Sequence, residues 1–96
     1  MKVVHIIFGA HQEAEIIGLL HREIAVPDYL RLDGVTVAHE IERQGRRAYH
    51  SDDRNTLIVV VCEDDMAERI VQGVAALTRR VEHGLRAYAM PAEQTS

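Results

Sequence analysis

Residues 34–62, GVTVAHEIERQGRRAYHSDDRNTLIVVVC, decide how this chain folds. Two segments rich in β-branched residues, GVTVAH at 34–39 and TLIVVVC at 56–62, have the composition of β-strands. Between them lies the charged segment EIERQGRRAYHSDDRN. Polar connections longer than about 12 residues are usually either functional or disordered. The pattern therefore predicts two strands joined by a long functional loop over residues 40–54, whose charges suit anions or a protein partner.

The N-terminal third of the chain predicts a strand and a helix. Val3–Phe8 is a short β-branched run that Gly9 breaks. Residues 11–25 have the pattern of an amphipathic helix, which Pro27 prevents from continuing. The predicted core face of this helix is formed by Ala14, Ile17, Leu20, His21 and Ile24.

The remaining elements follow from the same patterns. Tyr29–Leu32 and Val35–His39 predict the second strand, with a bulge or bend at Gly34. A second helix begins near Asp64 or Asp65, where acidic side chains favour the positive end of the helix dipole. Its apolar positions recur at helical spacing at Met66, Ala67, Ile70, Val71, Val74, Leu77 and Val81. Leu85–Met90 is the predicted fourth strand.

A weak internal repeat supports one fold class. Sliding the chain by 54 positions places VVHIIF on LIVVVC, so that each half reads strand–helix–strand. Two such units with right-handed crossovers give the α+β, ferredoxin-like βαββαβ arrangement. We therefore expect one domain over residues 1–91, with a four-stranded antiparallel sheet, both helices on one face, and a flexible tail at 92–96.

The strands are apolar on both faces, although two helices can cover only one. In an antiparallel sheet with one wet face, apolar and polar residues should alternate. In VVHIIF and LIVVVC they do not. Leaving several Val and Ile side chains in water would cost several kcal/mol at roughly 25 cal/mol per Å². The second face therefore needs a cover, most simply other copies of the chain.

Composition excludes several classes of protein. The chain has 96 residues and a net charge of −4, whereas nucleic-acid-binding domains usually carry a basic balance. Cys62 is the lone cysteine, which rules out an intrachain disulfide and favours a reducing compartment. We expect no signal peptide, since the short run VVHIIF leads directly into polar residues, and no apolar run reaches the length of about 18–20 residues that spans a bilayer. We expect a cytoplasmic protein without nucleic-acid binding or membrane insertion.

The element order and three local motifs resemble the PII signalling proteins. The motifs are the GVTV strand, the polar loop containing GRR, and the TRRVEHG turn at residues 78–84. More narrowly, the chain is similar to the divergent PII-like branch with short loops. The resemblance covers nearly the whole chain. It implies a homotrimer with the sheets inward, a T-loop at about 40–54 and a B-loop at about 78–84.

The resemblance also implies a function. Such proteins bind a small effector in clefts between subunits, here expected to be ADP, AMP, ATP, a cyclic nucleotide or a small anion. The effector would order the T-loop and so control a protein partner such as a transporter or an enzyme. No tightly bound cofactor is expected.

The nucleotide site that this resemblance implies can be placed residue by residue. Thr36 matches the threonine of the family's GMTV segment, and Gly45–Arg46 falls near its G-R-Q at the T-loop base. Thr78 opens the B-loop, where Arg80 replaces a lysine and Gly84 matches the last glycine. The full implied set is Thr36, Val37, Ala38, Gly45, Arg46, Arg47, Thr78, Arg80, His83, Gly84, Leu85 and Arg86.

Three departures from the family's B-loop favour a ligand smaller than a triphosphate. Arg79 and Glu82 stand where the family has glycines, so fewer backbone amides can approach a phosphate closely. Leu85 stands at a lysine position, with Arg86 adjacent to it.

Two other functions remain open at this stage. Six histidines favour a metal-responsive trimer similar to the CutA-type proteins, with His39 and His50 as the metal ligands. However, the spacing of His and Cys matches no structural zinc site. The chain also has no defensible Ser-His-Asp order, P-loop or GxGxxG motif, so we do not expect an enzyme. A small ferredoxin-like enzyme would instead predict an enclosed cavity lined by His21.

Overall fold

The computed structural model describes residues 1–79 and 85–93 and confirms the predicted ferredoxin-like architecture. Its elements are β1 (Lys2–Gly9), a 3₁₀ turn (Ala10–Gln12), α1 (Glu13–Gly18), a π turn (Leu19–Glu23), β2 (Leu30–Arg43), β3 (Arg46–Cys62), α2 (Asp64–Thr78) and β4 (Arg86–Pro91). The four strands form one sheet in the order β2-β3-β1-β4, and each neighbouring pair is antiparallel.

The hydrophobic core lies between one face of this sheet and the helices. Val4, Ile6 and Phe8 of β1 are fully buried, and Ile58 and Val60 lie beside them on β3. Burying a side chain of this size contributes about 1.5–3 kcal/mol. The helical segments complete the cluster with Ile16, Leu19, Leu20, Ala67, Ile70 and Val74.

The second helix follows its predicted pattern, whereas the first follows it only in part. In α2, Ala67, Ile70 and Val74 are buried as expected. In the first helical segment, Leu20 and Ile24 are buried as predicted, but Ala14 and His21 are exposed. The segment begins as a 3₁₀ turn and widens into a π turn, so the ideal period of 3.6 residues predicts only part of its inner face.

The prediction of a long polar loop at residues 40–54 is wrong, because almost all of these residues belong to β2 and β3. β2 continues to Arg43 and β3 begins at Arg46, so only a two-residue turn separates them. Gln44 and Gly45 have φ of 53° and 75°, the positive values that a type I′ hairpin turn requires. The part of β3 before Asn55 does not pair with β1, so residues 36–54 project as a two-stranded ribbon. Both faces of this ribbon are largely wet, which is why it lacks the alternation that marks a strand.

The predicted irregularity at Gly34 is confirmed. The β2–β3 register shifts between Leu32 and Val35, and Gly34 has a φ of 69°. The neighbouring Asp33 carboxylate accepts hydrogen bonds from Arg31 Nε at 2.9 Å and from the Thr56 hydroxyl at 3.1 Å. These bonds tie the irregular part of β2 to β3.

The sheet face opposite the helices is apolar and uncovered in the single chain. We call it the open face; its centre is formed by Val3, His5, Ile7, Leu30, Leu32, Leu57, Val59, Val61, Tyr88 and Met90. Leu30 is 67% exposed and Val61 56% exposed. His5 Nδ1, in contrast, is buried without a hydrogen-bond partner among the described residues. The strands are thus apolar on both faces, as the sequence predicted.

Part of the predicted B-loop lies outside the described residues. Arg80, His83 and Gly84 fall there, as does the end of the predicted tail at 94–96. Within residues 1–79 and 85–93, no helix is both long and apolar enough to span a membrane.

We predict that Ala25→Gly stabilises the protein. Ala25 ends the first helical segment at a φ of 60°, where Val26 N–H donates to the Leu20 carbonyl at 2.8 Å. A left-handed backbone costs a residue with a Cβ about 1–2 kcal/mol, and glycine avoids that cost while losing more chain entropy. The free energy of unfolding, measured in urea, should rise by about 0.5–1 kcal/mol.

Ala14→Gly provides the matched control. Ala14 is exposed within α1, so the same substitution should there lower the free energy of unfolding by about 0.5–1 kcal/mol. Equal effects of the two variants would contradict the proposed strain at Ala25.

Candidate functional site

A cleft of about 720 Å³ lies where the ribbon leaves the sheet. The end of β1 and the start of β4 form one wall, and the ribbon forms the other. The lining residues are Ile7, Gly9, Ala10, His11, Val37, His39, His50, Asp52, Arg54, Asn55 and Arg86. The cleft combines apolar side chains with cationic, anionic and imidazole groups, a mixture typical of small-ligand sites.

Strand register places these side chains together. Val37 pairs with Asp52, and His39 pairs with His50. Because directly opposed residues of antiparallel strands project to the same side, all four side chains share one face of the ribbon. On the other wall, Ile7 of β1 pairs with Arg86 of β4. The cleft therefore opens on the side of the open face, which also includes Ile7.

Asp52 is the most firmly held polar group of the cleft. Its Oδ1 accepts hydrogen bonds from the Arg54 backbone N–H at 2.9 Å and from Arg54 Nε at 3.4 Å. Asn55 Nδ2 donates to the Asp52 carbonyl at 2.8 Å. The Arg54 backbone N–H is the main cause that lowers the pKa of Asp52, and its guanidinium and nearby His50 act in the same direction. The site thus carries a fixed carboxylate beside two imidazoles.

The sequence-predicted residues do not lie together in one place. Val37 and Arg86 line the cleft, together with His39 and His50 of the metal hypothesis. Gly45, Arg46 and Arg47 lie at the ribbon tip in a separate hollow with Glu40, Ile41 and Glu42. There, Arg47 Nε lies 3.1 Å from Glu40 Oε1.

The other predicted residues lie apart from the cleft. Thr36 and Ala38 are exposed on either side of Val37 in β2, and neither lines the cleft. Thr78 borders a third hollow with Arg79, and its hydroxyl donates to the Val74 carbonyl at 2.9 Å. Leu85 is only 6% exposed and packs in the hydrophobic core, which takes its side chain away from any surface ligand.

Sequence reasoning missed several lining residues, chiefly His11 and Asn55. It named Asp52 and Arg54 only among the charges of the predicted loop. His11 follows Gly9, which pairs with Asn55, and that pairing alone brings His11 to the base of the ribbon. A signal for these residues exists only in the register of β1 against β3.

The arrangement does not form a complete metal centre in the single chain. Within residues 1–79 and 85–93, no three or more His, Cys, Asp or Glu side chains are grouped so that they could hold a metal ion. Cys62 lies away from the cleft, and burial is the main cause that raises the pKa of its thiol.

The architecture is a ferredoxin-like fold, and solved PII-like proteins share it. A solved structure of apo CPII from Thiomonas intermedia K12, a nitrogen regulatory PII-like protein, matches 93% of this chain and 85% of its own at a TM-score of 0.65 and 15% identity. CPII bound to ADP, AMP and acetate matches 92% of this chain and 81% of its own, at a TM-score of 0.64 and 16% identity.

A second kind of protein shares the architecture. The divalent cation tolerance protein (Cut A1) of Thermus thermophilus matches 100% of this chain and 88% of its own, at a TM-score of 0.63 and 18% identity. The sequence matches no protein-family model and no curated protein. The likeness to the solved structures is therefore one of fold.

We predict that the Asp52 carboxyl group titrates below a model aspartate in ¹³C NMR. Because its folded pKa is lowered, the interaction stabilises the protein above the unfolded pKa and is lost as the pH falls through the folded value. Arg54→Ala should reduce the shift only in part, since the backbone N–H remains. Complete loss of the shift in that variant would show that the guanidinium is the main cause.

Proposed function

We propose that the protein is a trimeric PII-like regulator that binds a small anionic effector, an adenine nucleotide in the first instance, in clefts between subunits. One observation carries the proposal: the cleft at the base of the ribbon opens on the same side as the uncovered apolar face. The protein acts in this proposal by binding a partner such as a transporter or an enzyme, without catalysis of its own, in the cytoplasm.

The first step is assembly. The open face exposes Leu30, Val61, Tyr88 and other apolar side chains to water. A large exposed apolar patch of this kind marks an interaction site. Copies of the same chain packed through this face would bury these apolar groups.

The second step places the ligand. Since Ile7 and Arg86 lie at the border between the open face and the cleft, a neighbouring copy on that face would also border the cleft. Arg86 can bind a phosphate or carboxylate through its guanidinium. Val37 and Ile7 offer an apolar surface for a base. The CPII structure with ADP and AMP supports a nucleotide of this size as the first candidate.

The third step is the switch. Residues 40–54 are a formed ribbon, so an effector would not need to fold a loop. Instead, it would bridge the ribbon to β1 and β4, because the cleft lies between them. The bound and free states would then differ in the position of the ribbon tip, where Arg46, Arg47 and Glu42 can contact a partner.

The enzyme hypothesis predicted an enclosed cavity lined by His21, and the position of His21 does not support it. His21 is exposed, and its Nε2 lies 2.9 Å from the Tyr29 hydroxyl. It does not line the cleft.

We predict that the wild-type chain sediments as a trimer and that Val61→Glu sediments as smaller species. Val61 is exposed in the single chain, so the substitution should leave the protomer folded while placing a charge in the interface. Ala76→Glu, on the exposed side of α2, should remain trimeric. A monomeric wild-type protein would refute the assembly.

We predict that calorimetry with ATP, ADP, AMP, cyclic nucleotides and bicarbonate finds at least one ligand, and that Arg86→Ala weakens it. The loss of a charge-assisted hydrogen bond costs about 1.5–3 kcal/mol, or roughly 10- to 150-fold in affinity. Arg22→Ala, in the exposed π turn, should bind as the wild type does. No heat with any of these ligands would reject the effector, whatever the oligomeric state.

A further inference from the structure

The cross-strand pair of histidines in the ribbon points to a second ligand. His39 of β2 and His50 of β3 are register partners, and both line the cleft. Directly opposed residues in antiparallel strands have Cβ atoms about 4.5–5.5 Å apart. The two imidazoles thus leave neighbouring points of a rigid hydrogen-bonded ladder and project to the same side.

This spacing suits chelation of one metal ion. Two nitrogens bound tetrahedrally at about 2.0–2.1 Å lie about 3.3 Å from each other, which two imidazoles can reach from this Cβ separation. Imidazole suits Zn²⁺, Cu²⁺ and Ni²⁺, whereas Mg²⁺ and Ca²⁺ prefer oxygen ligands. The chemistry of the pair therefore selects transition ions.

A carboxylate and a third imidazole lie in the same cleft as the pair. Asp52 belongs to the next pair on the same face, two residues from His50, and its carboxylate accepts a hydrogen bond from the Arg54 backbone N–H. His11 lines the same cleft from the opposite wall.

We propose that the His39–His50 pair binds one divalent transition ion, Cu²⁺, Ni²⁺ or Zn²⁺, as a two-histidine site. Since no group of three suitable side chains is assembled within residues 1–79 and 85–93, the other coordination positions are filled by water or by a group from outside the chain. An ion at this point would cross-link β2 to β3 and leave open positions facing the cleft. This site does not require the proposed nucleotide or the trimer.

The test is titration of the untagged, nucleotide-free protein with CuCl₂, NiCl₂ and ZnCl₂, followed by calorimetry. We expect one ion per chain, with Cu²⁺ bound more tightly than Ni²⁺ as the Irving–Williams order requires. His39→Ala and His50→Ala should each weaken binding by about tenfold or more, since even an outer-shell partner contributes roughly 10- to 100-fold. MgCl₂ should give no binding.

Two controls separate this site from other histidines. His21→Ala removes an exposed imidazole outside the cleft and should leave the affinity unchanged. The double variant His39→Ala with Ala38→His keeps the histidine count but moves one imidazole to the other face of the ribbon, and it should bind as weakly as His39→Ala. Electron paramagnetic resonance of the Cu²⁺ form should show two imidazole nitrogens in the wild type and one in either single variant.

Unchanged Cu²⁺ affinity in His39→Ala or His50→Ala would overturn the proposal, as would wild-type affinity in the double variant. Because the titration contains no nucleotide, such a result would leave the proposed effector site intact. Conversely, absence of nucleotide binding would leave the histidine site standing.

Discussion

The pairing of β1 with β3 is the interaction on which the rest of the structure depends. Over Lys2–Gly9 and Asn55–Cys62, each residue of one strand has a partner in the other, without a break in register. Alternate pairs, such as Ile6 with Ile58, form the floor of the core. The intervening pairs, such as His5 with Val59, form the open face. A shift by one residue would exchange these two faces, so the register is fixed by the helices on one side.

The end of that pairing creates the site. β1 stops at Gly9, opposite Asn55, whereas β2 and β3 continue to pair as far as Arg43 and Arg46. The ribbon thus leaves the sheet without a third strand beside it, and the space next to β1 becomes the cleft. Asp52 and its hydrogen bonds to Arg54 occupy the point where the ribbon departs. The end of β1 at Gly9 therefore accounts for both the projecting ribbon and the cleft beside it.

The ribbon also explains how one segment can carry two kinds of chemistry. Its cleft-facing side holds Val37, Asp52 and the two paired histidines, while Arg46 and Arg47 lie at its tip. A ladder of backbone hydrogen bonds connects these regions. In the proposed function, a ligand at the base would act on the tip through this ladder of paired strands.

Prediction from the sequence succeeded where burial imposes a pattern. The α2 stripe of Ala67, Ile70 and Val74 is buried on the predicted face. Prediction failed where no single face is buried or where the helix is irregular. The ribbon has two wet faces, and the first helical segment changes its winding, so neither follows a simple period. Four residues named from the sequence, Val37, Arg86, His39 and His50, line the cleft, whereas His11 and Asn55 were not named.

The sequence by itself determined the βαββαβ order, the antiparallel sheet and the presence of apolar residues on both of its faces, because these properties are local or periodic. Only the tertiary structure decided that residues 40–54 form a ribbon, that Leu85 belongs to the core, and that His39 faces His50. The reason is physical: contact between distant residues depends on strand register. That register is set jointly by the core, the Gln44–Gly45 turn and the bulge at Gly34, and not by any one segment alone.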